Sequence, residues 1–444
     1  MSFTVSTPEV ITGLVADGSD IGNNQLVSLG DGKFVALSTV YNSDSIHATV
    51  FTLLEGVFSF GIQQVINTVE GGNNYIQAVY DKSDDRVVVL YHGESDTPDY
   101  SRYVTFQVSG FTISGIHEGV VAGGYNNYAL VYLPNKSISV GIFWGDSTTF
   151  VQTITCAGGV LTAGAKGTTL LNQWVDEGIM FAANVGGDVV CASLDGEDLE
   201  FSRIVVTGTD VEVLPRVIST VTSARWTLGL AGNPDGVNFA LYCQSDPYGT
   251  PAHVIIPGQL DGASNMAFGV PTEYEAVIDD YEMSGVSVFL GNGTNEFATF
   301  VRSRGDSAAD AEIKVFKSGL ENYVATVDVG TVVDMSGVYE LGRFYNLQSA
   351  VYDVSLNQAV FLFIDPTTDI ARVFYVEGDP ANQADFWKNR TLQNEGNTSG
   401  ELEKQRTLKV VPGAVGQPYI QPIPGTDGYT TTKTGSSTKC VRAG

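Results

Sequence analysis

A strand–turn–strand phrase written twice, a spacing near 50 residues between its copies, and a spare strand at the N-terminus that fits a gap in the last repeat together predict an all-β, seven-bladed β-propeller. The phrase is Ala78-Val79-Tyr80-Asp81 followed by Arg86-Val87-Val88-Val89-Leu90-Tyr91. It returns as Ala350-Val351-Tyr352-Asp353 followed by Ala359-Val360-Phe361-Leu362-Phe363. A weaker copy, Ala129-Leu130-Val131-Tyr132 with Ile138-Ser139-Val140-Gly141-Ile142-Phe143, places Tyr132 52 residues after Tyr80. Repeats at such a period are supersecondary units that bury their apolar faces by stacking on one another.

In chain order, residues 3–11 form a first strand, and seven units of about 50 residues then begin near Gln25, Tyr75, Asn127, Asn172, Ala224, Gly285 and Leu347. The second unit is the clearest. Its first strand ends at Tyr80, a second runs from Arg86 to Tyr91, a third from Arg102 to Val108, and a fourth starts at Phe111-Thr112-Ile113-Ser114. Four strands per unit is a propeller blade, and a second strand apolar on both faces fits a sheet sandwiched between two neighbours. The units around Trp174 to Val206 and Trp226 to Val270 lack the Tyr-Asp mark and rest on alternation alone, so six or eight blades are the alternatives. The last unit has strands around Ala350, Val360 and Val373 but no outer strand. Phe3 to Ile11 aligns without gaps to Phe58 to Ile66, the outer strand of the first blade, so the N-terminal strand is expected to complete the seventh blade. Pro8 is tolerated there because an outermost strand has an unpaired edge.

The expected domains are therefore a propeller over residues 1–381 and an extended or partly disordered C-terminal arm over residues 382–444. The arm is polar, punctuated by Val411-Pro412-Gly413, Gln417-Pro418 and Gln421-Pro422-Ile423-Pro424-Gly425, and cannot offset its ordering entropy alone. Trp387, Tyr419, Ile420 and Ile423 are candidate anchors onto a partner, and Cys440 is a candidate crosslinking thiol. Residues 383–444 hold eight basic and five acidic side chains, leaving 15 basic against 45 acidic in residues 1–382. The arm of one subunit could thus lie on the acidic body of another.

The net charge of −27 argues against nucleic acid as a partner. No apolar run long enough to span a membrane is present, and the N-terminal residues lack the basic and apolar regions of a secretory signal, which predicts folding in a cytoplasm. Cys156, Cys191 and Cys243 fall in predicted strands and read as small buried hydrophobes. His47, His92, His117 and His253 fall apart from one another with no metal-ligand or triad spacing, so no metal, cofactor or catalytic residue is expected. Glu94, Asp96 and Asp99 sit in a predicted loop of the second blade and read as a solvated face. Ser245-Asp246-Pro247-Tyr248-Gly249-Thr250 departs in spacing from the aspartate box of sialidase propellers and reads as a turn, and Arg304-Gly305-Asp306 lies in a long loop.

The Val-Tyr-Asp strand, short polar turn and Val-Val-Val-Leu-Tyr strand resemble repeats of virion structural proteins of tailed bacteriophages, particularly marine ones, found in tail-fibre, appendage or head-decorating proteins. The resemblance rests on Val79 to Leu90, Val351 to Phe363 and Val131 to Phe143, and covers about half of the chain. It implies a non-enzymatic protein of the virion, assembled in the host cytoplasm and oligomeric within the particle. Its partners would be other virion structural proteins and a host surface glycan. Two other readings compete. One is a carbohydrate-binding adhesin outside a virion, stacking sugars on Tyr91, Tyr100, Trp144 and Tyr248. The other is a glycan-cleaving enzyme using loop carboxylates.

Overall fold

The computed structural model describes residues 4–15, 21–40, 45–67, 76–93, 100–121, 126–145, 148–167, 181–195, 198–218, 224–245, 252–261, 266–276, 284–290, 296–303, 312–321, 324–329, 333–334, 348–365, 370–377, 409–412, 418–421, 429–434 and 437–442. They fall in two compact units, residues 1–377 and 378–444.

The first unit contains seven antiparallel sheets of four or five strands. The innermost strands are Ile21–Gly30, Gln77–Asp81, Asn126–Leu133, Phe181–Val185, Ala224–Gly232, Ser284–Phe289 and Gln348–Asp353. Each lies beside the innermost strand of the next blade, and Gln348–Asp353 lies beside Ile21–Gly30, so the ring closes as a seven-bladed propeller. The predicted starts agree closely except in the fourth blade. Its first described strand begins at Phe181, whereas the predicted start at Asn172 lies outside the described residues.

The closing strand is the one the sequence predicts. Thr4 pairs with Glu377 and Val5 with Val376, then Glu9 pairs with Val373 and Val10 with Arg372. Residues 6–8 interrupt this ladder, and Ser6 N–H donates to the Tyr375 carbonyl at 3.0 Å. The aligned outer strand of the first blade breaks at the same place: Val57–Phe60 and Gln64–Val65 flank the gap, and Gly61 N–H donates to the Val50 carbonyl at 2.8 Å. The aligned Ile11 and Ile66 are each 1% exposed. Pro8 thus sits in a break where no ladder donor is required, a more specific reason for its tolerance than an unpaired edge. Broken outer strands recur in the fourth, fifth and sixth blades, and short edges of this kind resist pairing with other chains.

The core is a set of slabs between neighbouring blades. Val87 to Tyr91 on the second strand of the second blade are all at most 1% exposed. Alternate residues serve opposite slabs: Val87, Val89 and Tyr91 pack toward the first blade, and Val88 and Leu90 toward the third. The same division runs through Ala359 to Ile364, where Leu362 joins the slab against the first blade and Phe361 the slab containing Phe300 of the sixth. Burying each such side chain is worth about 1.5–3 kcal/mol, which is why two-sided apolar strands hold a ring together.

In the C-terminal unit, Lys409–Pro412 pairs with Pro418–Gln421, and Tyr429–Thr434 with Ser437–Arg442, as two antiparallel hairpins.

Candidate functional site

Because successive strands of a blade are antiparallel, the turns after the first and third strands share one face of the ring, the hairpin face. The connections after the second and fourth strands share the other, the loop face. This separates the recurring marks from the candidate ligand residues.

The Tyr-Asp marks lie on the hairpin face and build turns. Asp81 Oδ1 accepts from Ser83 N–H at 2.9 Å and from the Ser83 hydroxyl, and Asp353 Oδ1 accepts from Ser355 N–H at 2.8 Å, the Ser355 hydroxyl and Leu356 N–H at 3.1 Å. Tyr80 donates to Asp85 at 2.6 Å and Tyr352 to Asn357 at 2.7 Å. Asp85 and Asn357 both occupy the left-handed region, at φ 53° and 55°, a conformation that Asp and Asn adopt more readily than most residues. The shared signature is Tyr-Asp-x-Ser-x-(Asp/Asn).

Each turn also clasps the next blade. Asp84 accepts from Gly158 N–H and Gly159 N–H at 3.0 Å each, from Cys156 Sγ at 3.2 Å, and pairs with Arg86 Nε at 3.3 Å. Burial alone would raise its carboxyl, but these hydrogen bonds and the Arg86 charge outweigh it and hold Asp84 below the usual value. Gly159, at φ +88°, must be glycine, since a Cβ there would lie 2.5 Å from His117. Asp353 Oδ2 reaches from the seventh blade to Gly32 N–H at 3.1 Å and Ser28 Oγ at 3.2 Å on the first. Between the third and fourth blades, Asp188 accepts from Lys136 at 3.3 Å and from Arg203 at 2.6 Å. These carboxylates are engaged in turns and clasps.

The thiols read as structural too. Cys191 and Cys243 are fully buried, and burial pushes both up to about 12. Cys156 is half-buried and reaches about 12 through burial and then its contact with Asp84. None is a thiolate near neutral pH. Among the described residues, no three His, Cys, Asp or Glu side chains converge as metal ligands. A recess of about 140 Å³ between the first and second blades is lined by residues including Asp31, Lys33, Tyr80 and Asp85. It is smaller than the ~300–1,000 Å³ of ordinary ligand pockets.

Of the residues expected to stack sugars, two reach the loop face and one does not. Tyr91 is 0% exposed and belongs to the slab between the first and second blades, so it cannot meet a ligand. Trp144 is the penultimate residue of the second strand of the third blade, Ile138–Gly145, and Tyr100 begins the third strand of the second, both at the loop-face end. Glu94, Asp96, Asp99, Asp246, Tyr248, Arg304, Gly305 and Asp306 lie outside the described residues. So do Trp387 and Ile423, whereas Tyr419 and Ile420 fall in Pro418–Gln421 and Cys440 in Ser437–Arg442.

One feature near the loop face was not legible in the sequence. Asn24, Ser38 and His47 are paired directly across three strands of the first blade. Asn24 Oδ1 and Nδ2, Ser38 Oγ, His47 Nδ1 and the nearby Thr49 Oγ1 are all buried with no hydrogen-bond partner. Unpaired buried groups of this kind cost about 1–3 kcal/mol each.

No family model matches the chain, and no curated protein matches it. Among solved structures, it is similar to a protein from Lactobacillus plantarum at 12% identity and a TM-score of 0.44, covering 74% of this chain and 91% of that one. It is also similar to the NanB sialidase from Streptococcus pneumoniae at 8% identity and a TM-score of 0.43, covering 83% and 70%. A third similarity is to the β-propeller domain of the Trilobed protease from Pyrococcus furiosus, at 8% identity and a TM-score of 0.39, covering 81% and 97%. At these values the likeness says nothing of activity, and the ring of seven sheets stands on its own strand pairing.

Proposed function

We propose that the protein is a non-enzymatic structural component of a tailed-bacteriophage virion, a rigid docking or host-adhesion disc anchored by its C-terminal unit. The observation that carries this reading is how the carboxylates of the hairpin face are engaged. Asp81, Asp84, Asp188 and Asp353 are engaged in capping turns and joining blades, which suits a disc whose task is to hold its shape. The resemblance of the repeat to phage virion repeats supports the setting. The acidic body and mildly basic residues 383–444 support assembly with neighbouring subunits. The rim supplies apolar contact area: Leu54, Val57, Ile62 and Phe111 are 55%, 62%, 83% and 41% exposed on the first two blades.

Deleting residues 383–444 tests the anchor. The truncated chain is expected to keep the propeller's thermal transition and to be missing from purified particles; normal incorporation of the truncated chain would sink the reading. A second reading, a glycan-binding adhesin, is favoured by the arrival of Tyr100 and Trp144 at one face. Binding of the isolated protein to a glycan array, lost in Trp144→Ala, would support it.

A further inference from the structure

We propose that the seam between the seventh and first blades is an acid-sensitive latch, in which uptake of a proton by His47 loosens the N-terminal closing segment Glu9–Val15. The geometry comes from alternation. Leu26, Ala36 and Phe51 face the slab shared with the seventh blade. Asn24 lies two residues before Leu26, Ser38 two after Ala36, and Thr49 and His47 two and four before Phe51, so all four share that face. The slab they border includes Ile11 and Leu14 of the closing segment, each 1% exposed, and Ile364 and Ala371 of the seventh blade. Here the last blade meets the first, and its three inner strands are tied to the ring by side chains and by pairing with the N-terminal strand.

An imidazolium at position 47 would need a counter-charge, which the neutral hydroxyls and amide of this row do not supply. Ser38, directly opposite, is a hydroxyl, and Val65 on the other side is apolar. The charged groups on the packed elements are few. Lys33 lies at the far end of its strand, opposite Thr52. Asp353 is engaged at the hairpin face by Gly32 and Ser28. Arg372 shares the alternation of Phe374 and Val376, so it lies on the face toward the sixth blade. Glu9 shares the row of Val373 and so the face toward the first blade, but it is exposed. Asp17, Asp20 and Asp44 lie outside the described residues. Burial lowers the affinity of His47 for a proton below its ordinary 6.5. The closed seam is therefore fully stable above pH 6.5 and loses stability as pH falls below it, because the open form takes up the proton first. The loss levels off once the closed form also protonates.

Hydrogen exchange of the full chain between pH 7.5 and 5.5, corrected for the intrinsic pH dependence of exchange, tests this. Amides of residues 4–15 are expected to open more readily by up to about tenfold per pH unit below 6.5, whereas those of 148–163 in the third blade do not. His47→Gln should abolish the difference. An equal acid response in His47→Gln, or none in the unaltered protein, overturns the proposal. Should His47→Gln fail to fold, the imidazole titration of His47 in the unaltered protein decides by NMR. A midpoint below 6.5 supports the latch, and one at or above 6.5 overturns it.

Discussion

The two best copies of the repeat, Tyr80 to Arg86 and Tyr352 to Gln358, build the same turn and then reach the next blade in different ways. In both, the aspartate after tyrosine caps the turn and the tyrosine closes it onto an acidic or amide side chain in the left-handed region. In the first copy the contact to the next blade belongs to Asp84, four residues after the tyrosine, which accepts from Gly158 and Gly159. In the second copy that position is Leu356, which packs in the slab against the first blade, and Asp353 itself supplies the polar clasp. The local phrase specifies a turn, and the neighbour it meets selects which carboxylate does the joining.

Removal of residues 1–15 should have the largest effect on the seventh blade relative to the second. The second copy lies in the blade that these residues complete, and the burial of Ile11 and Leu14 is lost with them. These two side chains alone are worth about 3–6 kcal/mol, so the thermal transition should fall sharply or lose cooperativity. Next in size, Asp353→Ala removes both the cap and the clasp and is expected to destabilise by about 3 kcal/mol in urea unfolding, against about 2 for Asp81→Ala. Equal losses would mean that the clasp to Gly32 and Ser28 contributes nothing.

Asp84→Asn separates charge from shape. Asp84 titrates below its ordinary 3.8 in the folded protein, so its contribution is present above that value and disappears as pH falls through the folded value. The acid limb of stability against pH should therefore be flatter in Asp84→Asn, with a loss of about 1–2 kcal/mol at neutral pH. The smallest effects belong to the tyrosines. Tyr80→Phe and Tyr352→Phe should each cost about 0.5–1 kcal/mol, and a marked difference between them would show that the two turns are less alike than their hydrogen bonds.

Much of the architecture was legible because it is written in local pattern. The second strands Val189 to Ala192 and Phe239 to Cys243 are buried on both faces without any Tyr-Asp mark nearby, so alternation and turn residues sufficed for the middle blades. The N-terminal closure was legible because Phe3 to Ile11 repeats Phe58 to Ile66, down to the break that leaves Ser6 and Gly61 bonded to equivalent carbonyls. Tyr91 was misread because a tyrosine ending a strand looks the same whether it points into a slab or into solvent.

The sequence by itself determined the strands, their period and the closing strand. Each of these follows from apolar alternation and turn chemistry within a few residues. The tertiary structure decided which carboxylate clasps which blade, and it gathered Asn24, Ser38 and His47 into one unpartnered row at the seam. Contacts between blades join residues as distant as Gly32 and Asp353. No local pattern encodes which side chains will meet across that distance, and only the closed ring brings them together.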